Sequence, residues 1–192
     1  MDDGGLAEHR HRVLAGLSDR VLEVGAGNGA NFPHYPREVI EVVGVEPEPY
    51  LRARARERVA ESDLLIKVVD GVAERLEFAD GSFDAAVATL VLCTVDDQHR
   101  ALRELHRVLR PGGELRFFEH VRSELAAMRV VQRVLDTTVW PLVFGGDHTG
   151  RDTRAAIEAA GFKITQVDEV RFPDVRMNTP VSRHLLGIAV RP

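Results

Sequence analysis

The sequence has 192 residues, of which 44% are hydrophobic, and a formal net charge of −5 at neutral pH. This length favours one domain over residues 1–192, and the acidic balance offers no global positive field for nucleic acid. Cys93 is the only cysteine, which excludes an intrachain disulfide and a thiolate zinc site and predicts a reducing, cytoplasmic location without a bound metal. The chain shows neither a signal peptide nor eighteen successive uncharged apolar residues, so we expect no stable membrane anchor.

Apolar segments rich in valine alternate along the chain with segments of helical periodicity. The strand-like segments are Arg20–Val24, Val39–Val45, Leu64–Val69, Phe83–Thr89 and Glu114–Glu119. The helical segments are Leu6–Leu17, Glu48–Ser62, Asp96–Leu109, Glu124–Trp140 and Arg151–Ala160. This alternation is typical of a parallel sheet with helices on both faces.

Two further strand-like segments, Lys163–Val170 and His184–Val190, follow Gly161 and are separated by a loop that contains proline. Because no long helix lies between them, we expect them to pair as an antiparallel hairpin. The predicted fold class is therefore α/β, a Rossmann-like, doubly wound sheet of seven strands. The sheet would be mostly parallel, with one antiparallel strand near the edge.

The segment VLEVGAGNGANF, residues 21–32, joins the first predicted strand to a turn rich in glycine. Gly25, Gly27 and Gly29 leave no Cβ between the backbone and a ligand, so a cofactor can approach closely. With Ala30 in third place, the same spacing also satisfies the looser dinucleotide fingerprint. The glycines alone therefore leave NAD, S-adenosylmethionine and a turn without ligand open.

Two acids at predicted strand ends help to separate these alternatives. Glu23, before the turn, would repel a pyrophosphate but stabilise a cationic amine or sulfonium, which favours S-adenosylmethionine over NAD. Glu46 ends the next strand about twenty residues on, where a carboxylate can accept hydrogen bonds from ribose hydroxyls. Both cofactors carry such a ribose, and free phosphate does not.

Five segments in register resemble the class I S-adenosylmethionine-dependent methyltransferases. They are VLEVGAGNGANF, GVEPEPYL, GVAERLEFADGSFD, AVATLVLCTV and LRELHRVLRPGGELRFFEH. Within that superfamily, the pieces GANF, TLVLCTV, RVLRPGG, FEHV and GGDHTGRDTRAAIEAAGF are most similar to a small group that includes animal alkyl-thiol S-methyltransferases and their bacterial relatives. Animal members carry an apolar N-terminal anchor that this sequence lacks, so their membrane location is not carried over.

The resemblance implies S-adenosylmethionine as cofactor, S-adenosylhomocysteine as product and ten residues around them. The resemblance assigns the methionine part of the cofactor to Glu23, Gly25, Gly27 and Asn28, and the ribose to Glu46 and Pro47. It assigns the adenine to Val72 and Ala73, and the wall that closes the pocket to Thr89 and Leu90. Many relatives have Asp at the position of Val72, so adenine recognition would depend here on backbone groups and apolar contact. Asp70 is a poor substitute for that carboxylate.

Two histidines are candidate general bases. His120 follows the fifth predicted strand, at the edge where open parallel sheets bind ligands, although a histidine there can also cap a helix or bond a loop. His148 lies beside Asp147 in the turn GGDHTGRDT, whose composition also fits a helix cap. Cys93 has apolar neighbours and is predicted to be a small buried hydrophobe rather than a nucleophile.

Two other segments have alternative interpretations. The segment ELAAMRVVQRVLDTTVWPLVFGG carries more apolar residues than one helix face needs, which fits either an apolar lid over the acceptor or a buried helix. The arginines of RARARER, residues 52–58, spread around a helix without interleaved aromatic residues. They predict a solvated helix surface and no nucleic-acid site.

Methyl transfer from a sulfonium requires above all that nucleophile, methyl and sulfur are aligned. A thiol is partly ionised at neutral pH, whereas an aliphatic alcohol needs a base, and no unmistakable base is evident. We therefore predict a methyltransferase of a small, fairly apolar acceptor, first a thiol. The alternatives are an oxygen or nitrogen acceptor on a small metabolite or lipid headgroup, a non-catalytic S-adenosylmethionine-binding protein and a nicotinamide-dependent oxidoreductase. With one short helix before the first strand, the acceptor pocket would be open or completed by a second subunit in a homodimer.

Overall fold

The computed structural model describes residues 6–121, 150–172 and 183–192. In these ranges seven strands form one sheet: β1 Asp19–Val24, β2 Val39–Val45, β3 Leu65–Val69, β4 Phe83–Thr89, β5 Leu109–His120, β6 Lys163–Arg171 and β7 Arg183–Val190. The described helices are α1 Leu6–Leu14, α2 Pro49–Val59, α3 Gln98–Val108 and α4 Thr153–Ala159, with a 3₁₀ turn at Phe32–His34. The predicted helix Glu124–Trp140, and with it the apolar lid, lies outside the described residues.

The strand order across the sheet is β3-β2-β1-β4-β5-β7-β6. Strands β1 to β5 are parallel to one another, and β7 is antiparallel to both β5 and β6. Among the described strands β7 is thus the reversed one, next to the edge strand β6. The predicted seven-stranded sheet and its terminal hairpin are confirmed.

The sheet separates two hydrophobic clusters. On one face α1, the 3₁₀ turn and α2 contribute Val13, Leu14, Phe32 and Ala55. On the other face α3 and α4 contribute residues such as Leu102, Leu105 and Ile157. Neighbouring residues of β5 point to opposite faces, as alternation along a strand requires: Phe118 joins the first cluster and Phe117 the second.

Some element boundaries differ from the predictions. Helix α1 ends at Leu14 instead of Leu17, because Gly16 adopts a left-handed conformation (φ +76°) that ends a helix. Strand β5 begins at Leu109 instead of Glu114. Its first residues pair with the C-terminus, since Gly112 donates to the carbonyl of Arg191 at 2.8 Å and Arg191 donates to that of Gly113 at 2.9 Å.

The connection from β3 to β4 is held by the guanidinium of Arg107 on α3. This group donates to the carbonyl oxygens of Leu76 and Phe78, both at 2.8 Å, and to the carboxylate of Asp80 at 2.7 Å. Within α3 it also bonds Glu104 at 2.9 Å. A loop without a helix is thereby fixed against the sheet. No helix among the described residues is long and apolar enough to span a membrane.

The arginines of α2 depart in part from the predicted solvated surface. Arg52 is only 13% exposed; it donates to the carbonyls of Glu46 and Pro47 at 2.8 Å and pairs with Asp70 at 3.1 Å. Arg54, by contrast, is 57% exposed. Arg52 is largely shielded from solvent because it joins the beginning of α2 to the end of β3.

Candidate active site

A cavity of about 610 Å³ opens at the carboxyl ends of β1, β2 and β4. Strand order reverses between β1 and β4, and ligands of open α/β sheets bind at such a point. The volume lies within the range typical of sites for small ligands. All ten residues predicted for the cofactor line this cavity: Glu23, Gly25, Gly27, Asn28, Glu46, Pro47, Val72, Ala73, Thr89 and Leu90.

The three glycines of the turn have different surroundings. A Cβ added to Gly27 would meet nothing nearer than the carbonyl oxygen of Gly25 at 4.0 Å, so this residue faces open space in the cavity. A Cβ on Gly25 would lie 2.3 Å from Cγ2 of Val91, and one on Gly29 would lie 2.7 Å from the ring of Phe32. Room for a ligand is therefore left at Gly27, whereas the other two glycines allow neighbouring side chains to pack.

Glu23 is 2% exposed, and both of its carboxyl oxygens are hydrogen-bonded inside the protein. The side-chain amide of Asn31 donates to one oxygen at 2.9 Å, and the hydroxyl of Tyr35 donates to the other at 2.8 Å. Burial nevertheless raises the pKa of Glu23 to about 7, because desolvation outweighs these bonds and the charge of Arg10. The fixed negative charge expected from the sequence is thus a carboxyl group that titrates near neutral pH.

Asn31 connects three elements at this end of the cavity. Its Oδ1 accepts a hydrogen bond from Nη1 of Arg10 in α1 at 2.7 Å. Its Nδ2 donates to Glu23 on β1 and, at 3.2 Å, to Oγ1 of Thr89 at the end of β4. No sequence motif assigns a role to Asn31, Arg10 or Tyr35. The one sequence feature that could have indicated a role for Asn31 is its position as a polar residue between Ala30 and Phe32, which is buried.

Glu46 joins the two turns that follow β1 and β2. It is 5% exposed; Oε2 accepts from the N–H of Gly27 at 2.8 Å, and Oε1 accepts from the N–H of Glu48 at 2.9 Å. An ionised carboxylate has about four lone-pair sites, so two remain for further donors. Hydroxyl groups of a ribose fit that remaining capacity.

The loop after β3 contributes two apolar side chains to the cavity wall. Val72 is 43% exposed and Ala73 is buried, and both line the wall. Asp70 is absent from the described lining residues and its carboxylate is paired with Arg52. Asp70 therefore does not replace the acid that many relatives have at the position of Val72.

Glu119 holds the turn after β4, which forms part of the cavity wall. It is fully buried, and its carboxyl group accepts from the backbone N–H groups of Val91 at 2.9 Å, Leu92 at 3.0 Å and Cys93 at 3.3 Å. Burial raises its pKa to about 7, against the opposite effect of these bonds and of the Cys93 thiol. The chain enters this turn through Leu90 in a left-handed conformation (φ +56°). Cys93 is buried, as predicted.

His120 is not among the described residues that line the cavity. Its ring centroid lies 4.2 Å from that of His184 on β7, and the ring of His184 stacks on Phe118 at 4.9 Å. His9 of α1 stacks on the same phenylalanine at 5.2 Å, and burial lowers its pKa. The sequence placed His120 beside an acceptor, whereas its described ring neighbour is another histidine. The second candidate base, His148, lies outside the described residues.

Comparison with known proteins identifies the family. The model of the methyltransferase domain family matches residues 22–117. Human thiol S-methyltransferase TMT1A is 38% identical over 185 residues, which cover 93% of this chain and 74% of that protein. The chain belongs to the class I S-adenosylmethionine-dependent methyltransferases. Rat thiol S-methyltransferase TMT1B is also 38% identical, with the same coverage of both chains. A phosphatidylethanolamine N-methyltransferase of Cereibacter sphaeroides is 32% identical over 72% of this chain and 70% of its own.

Solved structures of methyltransferases share the fold of this family member. A putative methyltransferase of Bacillus halodurans superposes with a TM-score of 0.77 at 17% identity, covering 98% of this chain and all of the other. Geranyl diphosphate methyltransferase, solved with S-adenosylmethionine, gives a TM-score of 0.74 at 16% identity, covering 98% and 85%. At these identities the likeness concerns the fold alone.

The enzyme uses S-adenosylmethionine, and the residues of the cavity fit this cofactor. Space is open at Gly27, where a Cβ would otherwise stand. Glu46 retains acceptor capacity at the end of β2, and the wall at Val72 and Ala73 is apolar. Membership of the methyltransferase family excludes the alternative of a nicotinamide-dependent oxidoreductase.

Proposed function

We propose that this methyltransferase methylates the sulfur of a small, fairly apolar thiol. The observation that supports this acceptor most is the 38% identity to two thiol S-methyltransferases across 93% of the chain. That span extends well beyond residues 22–117, which match the general methyltransferase domain. Similarity outside the common domain concerns the parts in which methyltransferases of one fold differ, where function is determined.

The chemistry of the cavity wall agrees with a thiol. A thiol with a pKa of about 8.5 is already a few per cent thiolate at neutral pH, so alignment supplies most of the acceleration that transfer requires. Among the described lining residues there is neither a histidine nor a lysine. The buried acids are engaged as well: Glu23 by Asn31 and Tyr35, and Glu46 by two backbone N–H groups. An acceptor that ionises without a strong base suits this wall.

The residues of the cavity have distinct parts in this proposal. When bound, S-adenosylmethionine supplies a methyl group on a positively charged sulfur. Glu46 accepts hydrogen bonds from the ribose hydroxyls, and Val72 and Ala73 contact the adenine. Thr89 and Leu90, at the end of β4, close the wall beside the reacting groups. The thiol proton would go to solvent, and the thiolate sulfur would form a bond to the methyl carbon as the bond from that carbon to the sulfonium breaks, so that S-adenosylhomocysteine would leave.

An amine headgroup is the second candidate acceptor. It is favoured by the 32% identity to a phosphatidylethanolamine N-methyltransferase, over 72% of this chain. A primary amine has a pKa of about 10 and is mostly protonated at neutral pH. It therefore needs a group that removes its proton, and the described wall presents no evident one.

The test is an acceptor panel with product identification. The purified enzyme is incubated with S-adenosylmethionine and small alkyl thiols, phenols, primary amines or vesicles that contain phosphatidylethanolamine, and S-adenosylhomocysteine and the methylated product are measured by mass spectrometry. We expect kcat/KM for at least one thiol to exceed that of every phenol and amine by tenfold or more. Methylation of amines or phenols without methylation of any thiol would refute the proposal, and no turnover at all would favour a binding protein.

Glu46→Gln provides the matched control for this panel. The variant removes an acceptor for the ribose hydroxyls, so it should lower turnover of every acceptor by a similar factor. A full rate in this variant would mean either that Glu46 does not bind the ribose or that a contaminating enzyme carries the reaction, and a preparation of Glu46→Gln that no longer binds S-adenosylhomocysteine distinguishes the second case.

A further inference from the structure

The charges around the cavity are uneven. Among the described residues that line it, the acids are Glu23, Glu46, Glu48, Glu74 and Asp96, and Arg10 is the one cation. The methionine part of S-adenosylmethionine carries a carboxylate as well as two positive groups, the sulfonium and the α-ammonium. Acids match the positive groups, but the carboxylate would meet like charge at most of this wall.

Backbone groups of the glycine turn are largely committed elsewhere. The N–H of Ala26 donates to the carbonyl of Val45 at 3.1 Å, and that of Gly29 donates to the carbonyl of Ala26 at 2.9 Å. The N–H of Gly27 donates to Glu46 at 2.8 Å. A carboxylate buried here without a cationic or N–H partner would be strongly unfavourable.

Arg10 lines the cavity and is linked through Asn31 to Glu23, which the family resemblance assigns to the methionine part of the cofactor. Its Nη1 donates to Oδ1 of Asn31 at 2.7 Å, while Nδ2 of the same amide donates to Glu23 at 2.9 Å. One asparagine thus holds a guanidinium on one side and a carboxyl group on the other. A zwitterion with an ammonium next to a carboxylate has the complementary arrangement.

We propose that Arg10 binds the α-carboxylate of the cofactor's methionine part, so that helix α1 forms one end of the cofactor site. Arg10 lies before residues 22–117, to which the methyltransferase domain model is matched. Helix α1 contacts β5, β7 and the 3₁₀ turn after the glycines, and its packing therefore sets the position of the guanidinium. A guanidinium presents several fixed donors and can bind a carboxylate through two of them while it keeps Asn31.

The test compares two ligands that differ in the amino-acid part. S-adenosylhomocysteine contains the α-carboxylate, whereas 5′-deoxy-5′-methylthioadenosine lacks the whole amino-acid group. Binding of each is measured by calorimetry or by competition for the wild type, Arg10→Gln and Arg10→Lys. We expect Arg10→Gln to weaken the binding of S-adenosylhomocysteine by roughly 30-fold or more, because the substitution removes one partner of a buried charge pair. The methylthioadenosine affinity should change by less than about twofold, and Arg10→Lys should be intermediate because it keeps the charge but not the fork.

Arg12→Gln is the matched control, because Arg12 lies on the same helix, pairs with Asp168 at 2.6 Å and does not line this cavity. It should bind both ligands like the wild type. Equal losses for both ligands in Arg10→Gln, with a lowered melting temperature, would show that Arg10 only supports the fold. An unchanged affinity for S-adenosylhomocysteine would also overturn the proposal, even if the KM for an acceptor rose. No thiol is used, so the result does not depend on which acceptor is correct.

Discussion

The carboxylate of Glu46 at the end of β2 accepts a hydrogen bond from the N–H of Gly27 at 2.8 Å. This bond fixes the glycine turn to the neighbouring strand with the Cα of Gly27 exposed to the cavity. The opening in the backbone and the acid that we propose for ribose binding therefore belong to one arrangement. Gly25 and Gly29 support it through close packing against Val91 and Phe32.

Gly27→Ala should block the cofactor more than it destabilises the protein. The substitution places a Cβ in the open space of the cavity and strains a backbone with φ +56°. Gly16→Ala is a matched control, since Gly16 has φ +76° and nothing lies within 4 Å of its added Cβ. We expect each variant to lose about 1 kcal/mol of unfolding free energy. Only Gly27→Ala should weaken the binding of S-adenosylhomocysteine, by roughly tenfold or more; a tenfold loss corresponds to about 1.4 kcal/mol. Equal affinities of the two variants would mean that the opening at Gly27 is not used.

Several features of the fold and site could be predicted because short segments determine them. Valine-rich strands and punctuated helices determined the sheet and its hairpin, and the family resemblance located ten residues that line one cavity. The network of Arg10, Asn31 and Tyr35 could not be predicted in this way. Its members come from α1 and the turn region, and their meeting at Glu23 depends on tertiary packing that sequence periodicity does not contain.

The burial of charge was the other unpredicted property. Glu119 lies beside His120 in the sequence, where the histidine is the candidate base and the acid carries no predicted role. In the fold the acid turns inward to bond the amides of Val91, Leu92 and Cys93. Neighbouring strand residues point to opposite sides, so such a choice is decided by what packs on each face. The catalytic roles of His120 and His148, the homodimer, the single domain and the cytoplasmic location stay predictions.

Cofactor binding should depend on pH through Glu23. Because burial raises its pKa to about 7, a large fraction of this carboxyl group is protonated at neutral pH. A ligand with an ammonium group favours the carboxylate, so binding should release protons and strengthen as the pH rises from about 6 to about 8. Calorimetry of S-adenosylhomocysteine in buffers of different ionisation enthalpy measures this release. Glu23→Gln should bind more weakly and lose the pH dependence in this window; an unchanged dependence would assign it to another group.

Stability without ligand should fall as the pH rises through the same range. Glu23 and Glu119 have pKa values raised to about 7 from 4.5, so between these values the folded protein binds more protons than the unfolded chain. Their neutral forms therefore stabilise the fold fully below about pH 4.5, and this contribution is lost by about pH 7. A shift of this size corresponds to about 3 kcal/mol for each group. Denaturant unfolding at several pH values measures the slope, to which His9 and His106 contribute with the opposite sign because burial lowers their pKa values. Glu23→Gln and Glu119→Gln should each make stability fall less between pH 5 and pH 7; a slope that neither variant changes would contradict both assignments.

The variant His120→Ala distinguishes a role of His120 as a general base from a role in packing. The ring of His120 lies against His184 instead of the described cavity wall, and a thiol acceptor needs no strong base. We therefore expect less than a tenfold loss of kcat with a thiol, an unchanged affinity for S-adenosylhomocysteine and a pH–rate profile that follows the ionisation of the thiol. Loss of a general base would instead cost on the order of a hundredfold or more and remove a limb of that profile. Such a loss, with a normal melting temperature, would assign His120 to proton transfer.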